Sequence, residues 1–357
     1  MSDSVVVVTG CTSGLGYHAT ASLVSSGRTV VLACRNVAAA EKAATQLAKS
    51  TGAPRERLLV LPVALDLTRL ASVRDYAAAL RSLLGKRGIS SLVLNAGIGA
   101  QLKYTHTADG YETVWATNHL GHTLLALLLL PQLDQRATVV VVASEVHDIA
   151  SGTGLPDPAA TWPVAMEDYD RVIARGETVG DEGSRVRYSR SKLCNVLFAA
   201  ELARRLSGAT TPLADPETLA ALAAVPGGAS CTLPGSRSIR VVSLNPGAML
   251  GTSFIAGIVG PFAGWILVSM MSVILPLTPF RRLLRDVKKS GPILAKVATG
   301  ECCADVPSGS FISDGEAHAA SAFARSPAGA AVAGPALWDK SLQWAGVTAA
   351  ELKAAGF

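Results

Sequence analysis

Four consecutive valines, Val5–Val8, run straight into Thr9-Gly10-Cys11-Thr12-Ser13-Gly14-Leu15-Gly16, and an apolar period through Ala19, Ala21, Leu23 and Val24 follows. A β-branched run with no polar face predicts a strand buried on both sides, as in a parallel sheet. Strand, glycine-rich turn and helix, in that order, is the context in which a glycine motif holds a dinucleotide. Gly10 permits the tight turn, Gly14 lets backbone approach a pyrophosphate, and Gly16 lets the helix pack closely. The helix start faces the phosphates with its free N–H groups. Thr9, Gly10, Thr12, Ser13, Gly14, Leu15 and Gly16 are therefore the first candidate cofactor-binding residues. A glycine turn that binds nothing is the plain alternative.

The same alternation continues along the chain. Thr29–Cys34 reads as a second strand with Arg35 at its end. Dinucleotide folds place an acid there for the ribose 2′-OH, whereas an arginine suits a 2′-phosphate, so Arg35 points to NADP(H) rather than NAD(H). A solvated surface arginine is the competing reading. Leu58–Leu65 is a third strand ended by Asp66-Leu67, an acid that either lies beside an adenine ring or caps the next helix. Ser91–Leu94 is a fourth, followed by the turn Asn95-Ala96-Gly97 on the carboxyl edge where open α/β sheets bind ligands. A helix carrying Val114, Asn118, Leu120, Leu124 and Leu125 leads to a fifth strand, Thr138–Val142, and to Ser144. The fold class is α/β: a Rossmann-type doubly wound parallel sheet with helices on both faces. The 357 residues read as a single domain with insertions.

Tyr188 and Lys192 open an apolar-periodic run through Val196, Leu197, Phe198, Leu202 and Leu206. Four apart on a helix, they share one face. The ammonium of Lys192 is expected to favour the Tyr188 phenolate and lower its pKa toward working pH, as an acid/base tyrosine needs. The spacing alone is common in surface helices; the upstream nucleotide motif and Ser144 give it weight.

The set Thr9-x3-Gly-x-Gly, Asn95-Ala96-Gly97, Asn118, Ser144, Tyr188-x3-Lys192 and Asn245-Pro246-Gly247 resembles the short-chain dehydrogenase/reductase superfamily over roughly the first 250 residues. The resemblance implies hydride transfer between a nicotinamide and a carbonyl/alcohol pair. It makes Tyr188 the general acid or base and places Lys192 on the nicotinamide ribose. Ser144 then polarises the carbonyl, and Asn118 holds a water that links Lys192 to solvent. Pro246-Gly247 and Thr252 fall near the carboxamide. More narrowly, Ala33-Cys34-Arg35-Asn36, Thr117-Asn118-His119-Leu120-Gly121-His122, the run from Tyr188 to Phe198 and the tail around Ser308–Gly315 and Ala336–Asp339 resemble the branch of retinol dehydrogenases and light-dependent protochlorophyllide reductases. Cys194 resembles a cysteine beside the catalytic lysine of the latter; a small helix residue packed on the sheet is the other reading. His147 has a counterpart in retinol-dehydrogenase-like sequences, against which stands a polar loop residue without chemistry.

Three segments depart from a minimal version of this fold. Residues 149–187, with Trp162, Met166, Asp168, Tyr169 and Asp170, are expected to overhang the site as a lid. Residues 207–238 are rich in Ala, Pro, Gly and Thr and read as a surface excursion. Residues 250–290 form a hydrophobic flap: from Val241 through Phe280 there is no charged residue, and a basic stretch beginning at Arg281-Arg282 follows. Three readings compete for Phe254–Leu277: a flap resting on a membrane, a flap closing over an apolar substrate, or a bilayer span, which its glycines and prolines oppose. No basic-then-apolar leader opens the chain, so a cytoplasmic or peripherally membrane-associated enzyme is expected. The net charge of +5 is dispersed and aromatics are 5% of residues, which excludes a nucleic-acid binder. Six cysteines lack metal or disulfide spacing and read as reduced thiols. The expected activity is NADP(H)-dependent hydride transfer with the carbonyl or alcohol of a lipophilic small molecule. The alternatives are protochlorophyllide-type C=C reduction and a non-catalytic membrane-bound NADPH-binding scaffold.

Overall fold

Every valine of the opening run is fully buried in the computed structural model, and alternate ones serve opposite cores. The model describes residues 5–101, 103–153, 155–177, 183–208, 238–249 and 284–357. Val5 and Val7 of β1 (Val5–Thr9) face a core shared with α3 (Leu70–Leu84), α5 (Gly121–Leu129) and α6 (Gly183–Leu206). Val6 and Val8 face the other core, with α1 (Gly14–Ser25), α2 (Val37–Thr51) and α7 (Val287–Thr299). Period-two alternation in a strand buried on both faces explains why its sequence shows no polar side.

Strands β1, β2 (Thr29–Ala33), β3 (Leu58–Leu59), β4 (Ile89–Leu94), β5 (Leu133–Val142), β6 (Arg240–Asn245), β9 (Phe311–Ser313) and β10 (Glu316–His318) form one sheet in the order β10-β9-β6-β5-β4-β1-β2-β3. All its pairs are parallel except β9–β10. Two short strands, β7 (Ala248–Met249) and β8 (Leu284–Arg285), pair separately. From β1 the chain winds outward through β2 and β3, then returns to the other side of β1 through β4. This reversal opens a crevice at the carboxyl ends of β1 and β4, where ligands of open α/β sheets bind.

The second and fourth strands differ from the sequence reading by one or two residues, ending at Ala33 and beginning at Ile89, and the third and fifth differ by more. The third strand stops at Leu59, because it is an edge strand paired only through Val30–Leu58 and Val31–Leu59 and Pro62 has no N–H to extend the ladder. The fifth begins at Leu133, pairs with Ile89, and resumes at Thr138 after an irregularity. The tail supplies β9, β10 and the helices Gly334–Trp344 and Ala349–Ala355, which close the core over α5 and α6. Phe198 of α6 stacks on Trp338 at 6.0 Å.

The segment that follows Ser144 is anchored by a buried cation. Arg190, 2% exposed, donates to the Val172 carbonyl (2.7 Å) and to Thr161 Oγ1 (2.8 Å). Trp162 Nε1 donates to the Tyr169 hydroxyl at 3.0 Å, and the Trp162 ring meets Phe323. Nearly all of 207–238, the flap from 250 to 283, the apolar stretch Phe254–Leu277 and Thr252 lie outside the described residues. Among the described residues no helix is long and apolar enough to cross a membrane.

Candidate functional site

The turn after β1 has room for nothing larger than glycine at two points. A Cβ on Gly10 (φ +66°) would lie 2.8 Å from Ala96 Cα, and one on Gly16 would lie 2.5 Å from the Gly10 carbonyl and 2.6 Å from Asn95 Nδ2. Asn95 Nδ2 donates to the Thr9 and Gly10 carbonyls (2.8 and 3.2 Å). The Thr9 hydroxyl accepts from the backbone N–H groups of Asn95 (2.8 Å) and Ala96 (2.9 Å). The glycine turn and the Asn95-Ala96-Gly97 turn are thus one rigid unit. Ser13, the N-cap of α1, is extended, exposed and makes no side-chain cap hydrogen bond, and Gly14 follows at φ +57°. Leu15 is buried beneath and Thr12 is half-buried. A cradle that a Cβ would fill, with a helix start whose cap leaves its N–H groups unbonded, fits a dinucleotide phosphate.

His122, given no role by the sequence, ties this unit to Asn118. Its Nε2 lies 2.9 Å from Thr9 Oγ1 and its Nδ1 3.2 Å from the Asn118 carbonyl. A carbonyl only accepts, so Nδ1 carries the proton; Nε2 then accepts from the Thr9 hydroxyl. Burial holds the His122 pKa down to about 4, aided by the Lys192 charge. The ring therefore stays neutral and keeps this tautomer. Asn118 sits in a π-helical turn, Ala116–Leu120, between α4 (Thr113–Trp115) and α5, a local irregularity common at functional sites. Its amide pairs both ways with the backbone of Ile98, accepting from N (2.8 Å) and donating to O (3.0 Å), and donates to Ser191 Oγ (3.0 Å). Both side-chain N–H groups are thus spent on protein partners. Gly97 closes the gap: its Cβ would lie 3.0 Å from Asn118 Oδ1 and 3.8 Å from Lys192 Nζ.

Helix α6 carries Tyr188 and Lys192 on one face, both 6% exposed. Lys192 Nζ donates to the Val142 carbonyl (3.1 Å), which also accepts from Asn195 Nδ2 (3.1 Å), and lies 5.8 Å from the Tyr188 ring centroid. The Ser144 side chain lies close enough to Tyr188 to act on its pKa, in the lowering direction. Ser144 is held at the end of β5 as the N-cap of a short turn, Glu145–His147, its Oγ accepting from Val146 N (3.4 Å). The expected lowering of the Tyr188 pKa by Lys192 is not what the protein shows. Burial raises it, and only Ser144 opposes the rise. Lys192 itself is pushed down to about 8 by burial. Desolvation of both groups outweighs their attraction because the ammonium points to Val142 rather than to the phenol oxygen.

Around this centre, Gly247 (φ +79°) follows Pro246 and donates to Asn245 Oδ1 (3.1 Å), while the Pro246 carbonyl accepts from Ser290 Oγ (3.0 Å). Arg285, ion-paired to Asp314, packs against Gly247. Arg35 stands exposed after β2, and among the described residues no hydrogen bond or ion pair reaches its guanidinium. Asp66 Oδ1 accepts from Thr68 N (3.0 Å) and Oγ1 (2.7 Å) in the turn before α3, whose N-cap is Arg69, so Asp66 does not cap that helix. Leu67 is buried, its carbonyl where a Cβ on Gly121 would lie 2.5 Å away.

Two residues take roles that the sequence left open. His147, 2% exposed, is no free loop residue: its Nδ1 lies 2.7 Å from the Ser144 carbonyl and its Nε2 accepts from Ser321 N (3.0 Å). It therefore pins the Ser144 turn to the tail. His147→Ala strands the Ser321 N–H, while the Ser144 carbonyl keeps the backbone N–H of residue 147 (3.3 Å), so a loss of about 1–3 kcal/mol in urea unfolding is expected; an unchanged midpoint would show the pin to be idle. Cys194 is fully buried in the core of α6, its thiol pushed up to about 12 by burial. That is the packing reading of this residue. A cavity of about 720 Å³ lined by Tyr104, Tyr111, Asp170, Arg175 and Trp344 contains none of the four catalytic candidates.

Comparison with known proteins agrees with this architecture. The family model for short chain dehydrogenase matches residues 4–155. WW domain-containing oxidoreductase from Danio rerio is 37% identical over 212 residues, 58% of this chain and 46% of that protein. Human retinol dehydrogenase 12 is 36% identical over 206 residues, 57% of each chain. The chain thus spans about half the length of these relatives. Among solved structures, an uncharacterised protein from Mycobacterium paratuberculosis superposes with a TM-score of 0.60 at 26% identity, covering 97% of this chain and 94% of that one. L-sorbose reductase from Gluconobacter frateurii, solved with NADPH and L-sorbose, shares the fold at a TM-score of 0.56 and 20% identity, covering 87% of this chain and 95% of that one. Over residues 4–155 the chain is similar to the short-chain dehydrogenase/reductase family, and over a little more than half its length it resembles the retinol dehydrogenases of that family.

Proposed function

We propose that the protein is an NADP(H)-dependent oxidoreductase acting on the carbonyl or alcohol of a lipophilic small molecule. The observation that carries this is the juxtaposition of Tyr188 with Ser144, close enough for the serine to act on the tyrosine's pKa, and with Lys192 on the same helix face at the sheet edge that bears the glycine turn. Thr9, Gly10, Thr12, Ser13, Gly14, Leu15 and Gly16 form the phosphate cradle. Asn95, Ala96 and Gly97 with Asp66 and Leu67 flank the adenosine side, and Pro246, Gly247 and Thr252 the nicotinamide side. The bound nicotinamide supplies or accepts the hydride. Ser144 polarises a substrate oxygen lodged against the two hydroxyls, and Tyr188 delivers the proton to it in reduction or removes it in oxidation. Lys192 and Asn118 hold the donor side of that proton path.

The surroundings support an apolar substrate. Tyr188 packs with Ala100 and Val114, and Ile98, Val146 and Leu155 lie against them, so the ring that carries the hydroxyl sits in an apolar cluster. In this reading the whole chain, 1–357, is one nucleotide-binding unit. Residues 149–187 cover the site; most of 207–238 and of the flap 250–290 lies outside the described residues. The exposed Arg35, whose guanidinium no hydrogen bond or ion pair reaches among the described residues, supports the 2′-phosphate. Arg35→Asp is expected to weaken NADPH binding by about 10²-fold, the worth of a charge-assisted bond lost and a repulsion gained, with NADH binding changed far less. Equal weakening of both in a fluorescence titration would reject the NADP(H) preference. Following NADPH oxidation over apolar aldehydes, ketones and quinones tests the activity itself; no consumption with any of them would remove the substrate assignment.

A further inference from the structure

Two thiols sit where the glycine turn meets the end of β2. Cys11, fully buried inside the turn, and Cys34, 7% exposed and one residue before Arg35, have their sulfurs 3.4 Å apart. The β1–β2 register, with Thr9 opposite Ala33 and Gly10 N donating to the Ala33 carbonyl at 3.0 Å, fixes them side by side. Both are buried, and Cys34 is the more exposed of the two.

We propose that Cys34 and Cys11 form an oxidation site in which Cys34 reacts with a hydroperoxide and Cys11 resolves it to a disulfide across the base of the nucleotide turn. The Cys34 sulfur attacks one peroxide oxygen, the O–O bond breaks, and water (or an alcohol, from an organic peroxide) leaves with the thiol proton, giving the sulfenic acid. Cys11 sulfur then attacks Cys34 sulfur, the S–O bond breaks, the S–S bond forms, and a water leaves. The two cysteines lose two electrons and the peroxide gains them. A reactive thiol beside a buried resolving thiol is the arrangement of redox-sensing pairs. The local electrostatics divide the roles in this sense. The Cys11 thiol, by hydrogen-bonding to it, lowers the Cys34 pKa, and the N–H groups of Cys11, Gly10 and Thr12 add to this against burial. Burial raises that of Cys11, as suits the thiol that waits.

Closing 3.4 Å to the bonded distance of about 2 Å must draw the Cys11 turn and the β2 end together. The turn has no slack for this, since Gly10 is already against Ala96. The movement displaces the cradle N–H groups and Arg35 together. The effect on nucleotide binding rests on the function proposed above; the oxidation does not.

The test is hydrogen peroxide titration of the full-length, nucleotide-free protein, followed by peptide mapping without reduction. The expected result is a Cys11–Cys34 linked peptide with a mass loss of about 2 Da, reversed by dithiothreitol. NADPH is expected to slow its formation, and the oxidised protein to bind NADPH at least ~10-fold more weakly, because the coupling is reciprocal. Cys34 found only as sulfinic acid would overturn the proposal, as would a disulfide confined to Cys302–Cys303, whose sulfurs are 3.3 Å apart. So would loss of the linked peptide in Cys302→Ser but not in Cys11→Ser. Linked peptide forming with no effect of NADPH in either direction would leave the oxidation site standing and overturn its coupling to the nucleotide.

Discussion

Tyr188→Phe lowers turnover by about 10²–10⁴-fold, the usual worth of a positioned acid or base, while NADPH binding changes little. The substitution removes one oxygen from a ring that is otherwise held by apolar contacts with Ala100 and Val114. Packing is kept, so the fold and the cradle at Gly10–Gly16 remain. The place of Ser144 in its turn is set by its own N-cap bond and by His147. The split between kcat and nucleotide affinity is the diagnostic feature. A variant with wild-type kcat on a substrate that the native protein reduces would remove Tyr188 from the chemistry.

Lys192→Met is expected to stabilise the nucleotide-free protein at neutral pH while destroying its activity. Burial lowers the Lys192 pKa from 10.5 to about 8. Below about pH 8 both the folded and the unfolded chain carry the proton, and the folded state bears the full cost of the buried cation. Between pH 8 and 10.5 the unfolded chain binds more protons than the folded one, so stability rises with pH across that window. The shift corresponds to on the order of 3 kcal/mol. Methionine has similar length and no charge, and the Val142 carbonyl keeps its bond from Asn195. Urea midpoints should therefore favour the variant by up to this amount near pH 7, with the difference shrinking toward pH 10. A variant less stable at both ends would show that the lysine is held by interactions worth more than its burial costs. A stabilising loss of this kind marks a residue kept for function.

The parts of the site legible in the sequence are those carried by local pattern. The valine run, the glycine turn and the apolar period of α6 each announce an element from neighbouring residues alone, and so place Thr9, Tyr188 and Lys192 on a strand end and a helix face. Contacts between distant segments are not written that way. Thr9 and His122 are 113 residues apart in sequence, and His147 meets Ser321 across 174. A histidine four residues after Asn118 was a visible sign, since that spacing puts its ring over the Asn118 carbonyl on a helix. The π-helical turn at Asn118 arises from tertiary packing and has no pattern of its own. The Tyr188 shift went the other way because spacing gives proximity to Lys192 but not the depth of burial that outweighs it.

Hydride transfer by this site is tested most directly with NADPH carrying deuterium at C4 of the nicotinamide, incubated with the protein and an apolar carbonyl panel, with products read by mass spectrometry. The proposed function predicts an alcohol product carrying one deuterium on carbon in the wild-type protein, and little or none with Tyr188→Phe. Unlabelled product, or no product from any carbonyl while NADPH binds, would contradict the assignment of Tyr188, Ser144 and Lys192 as a reductase centre.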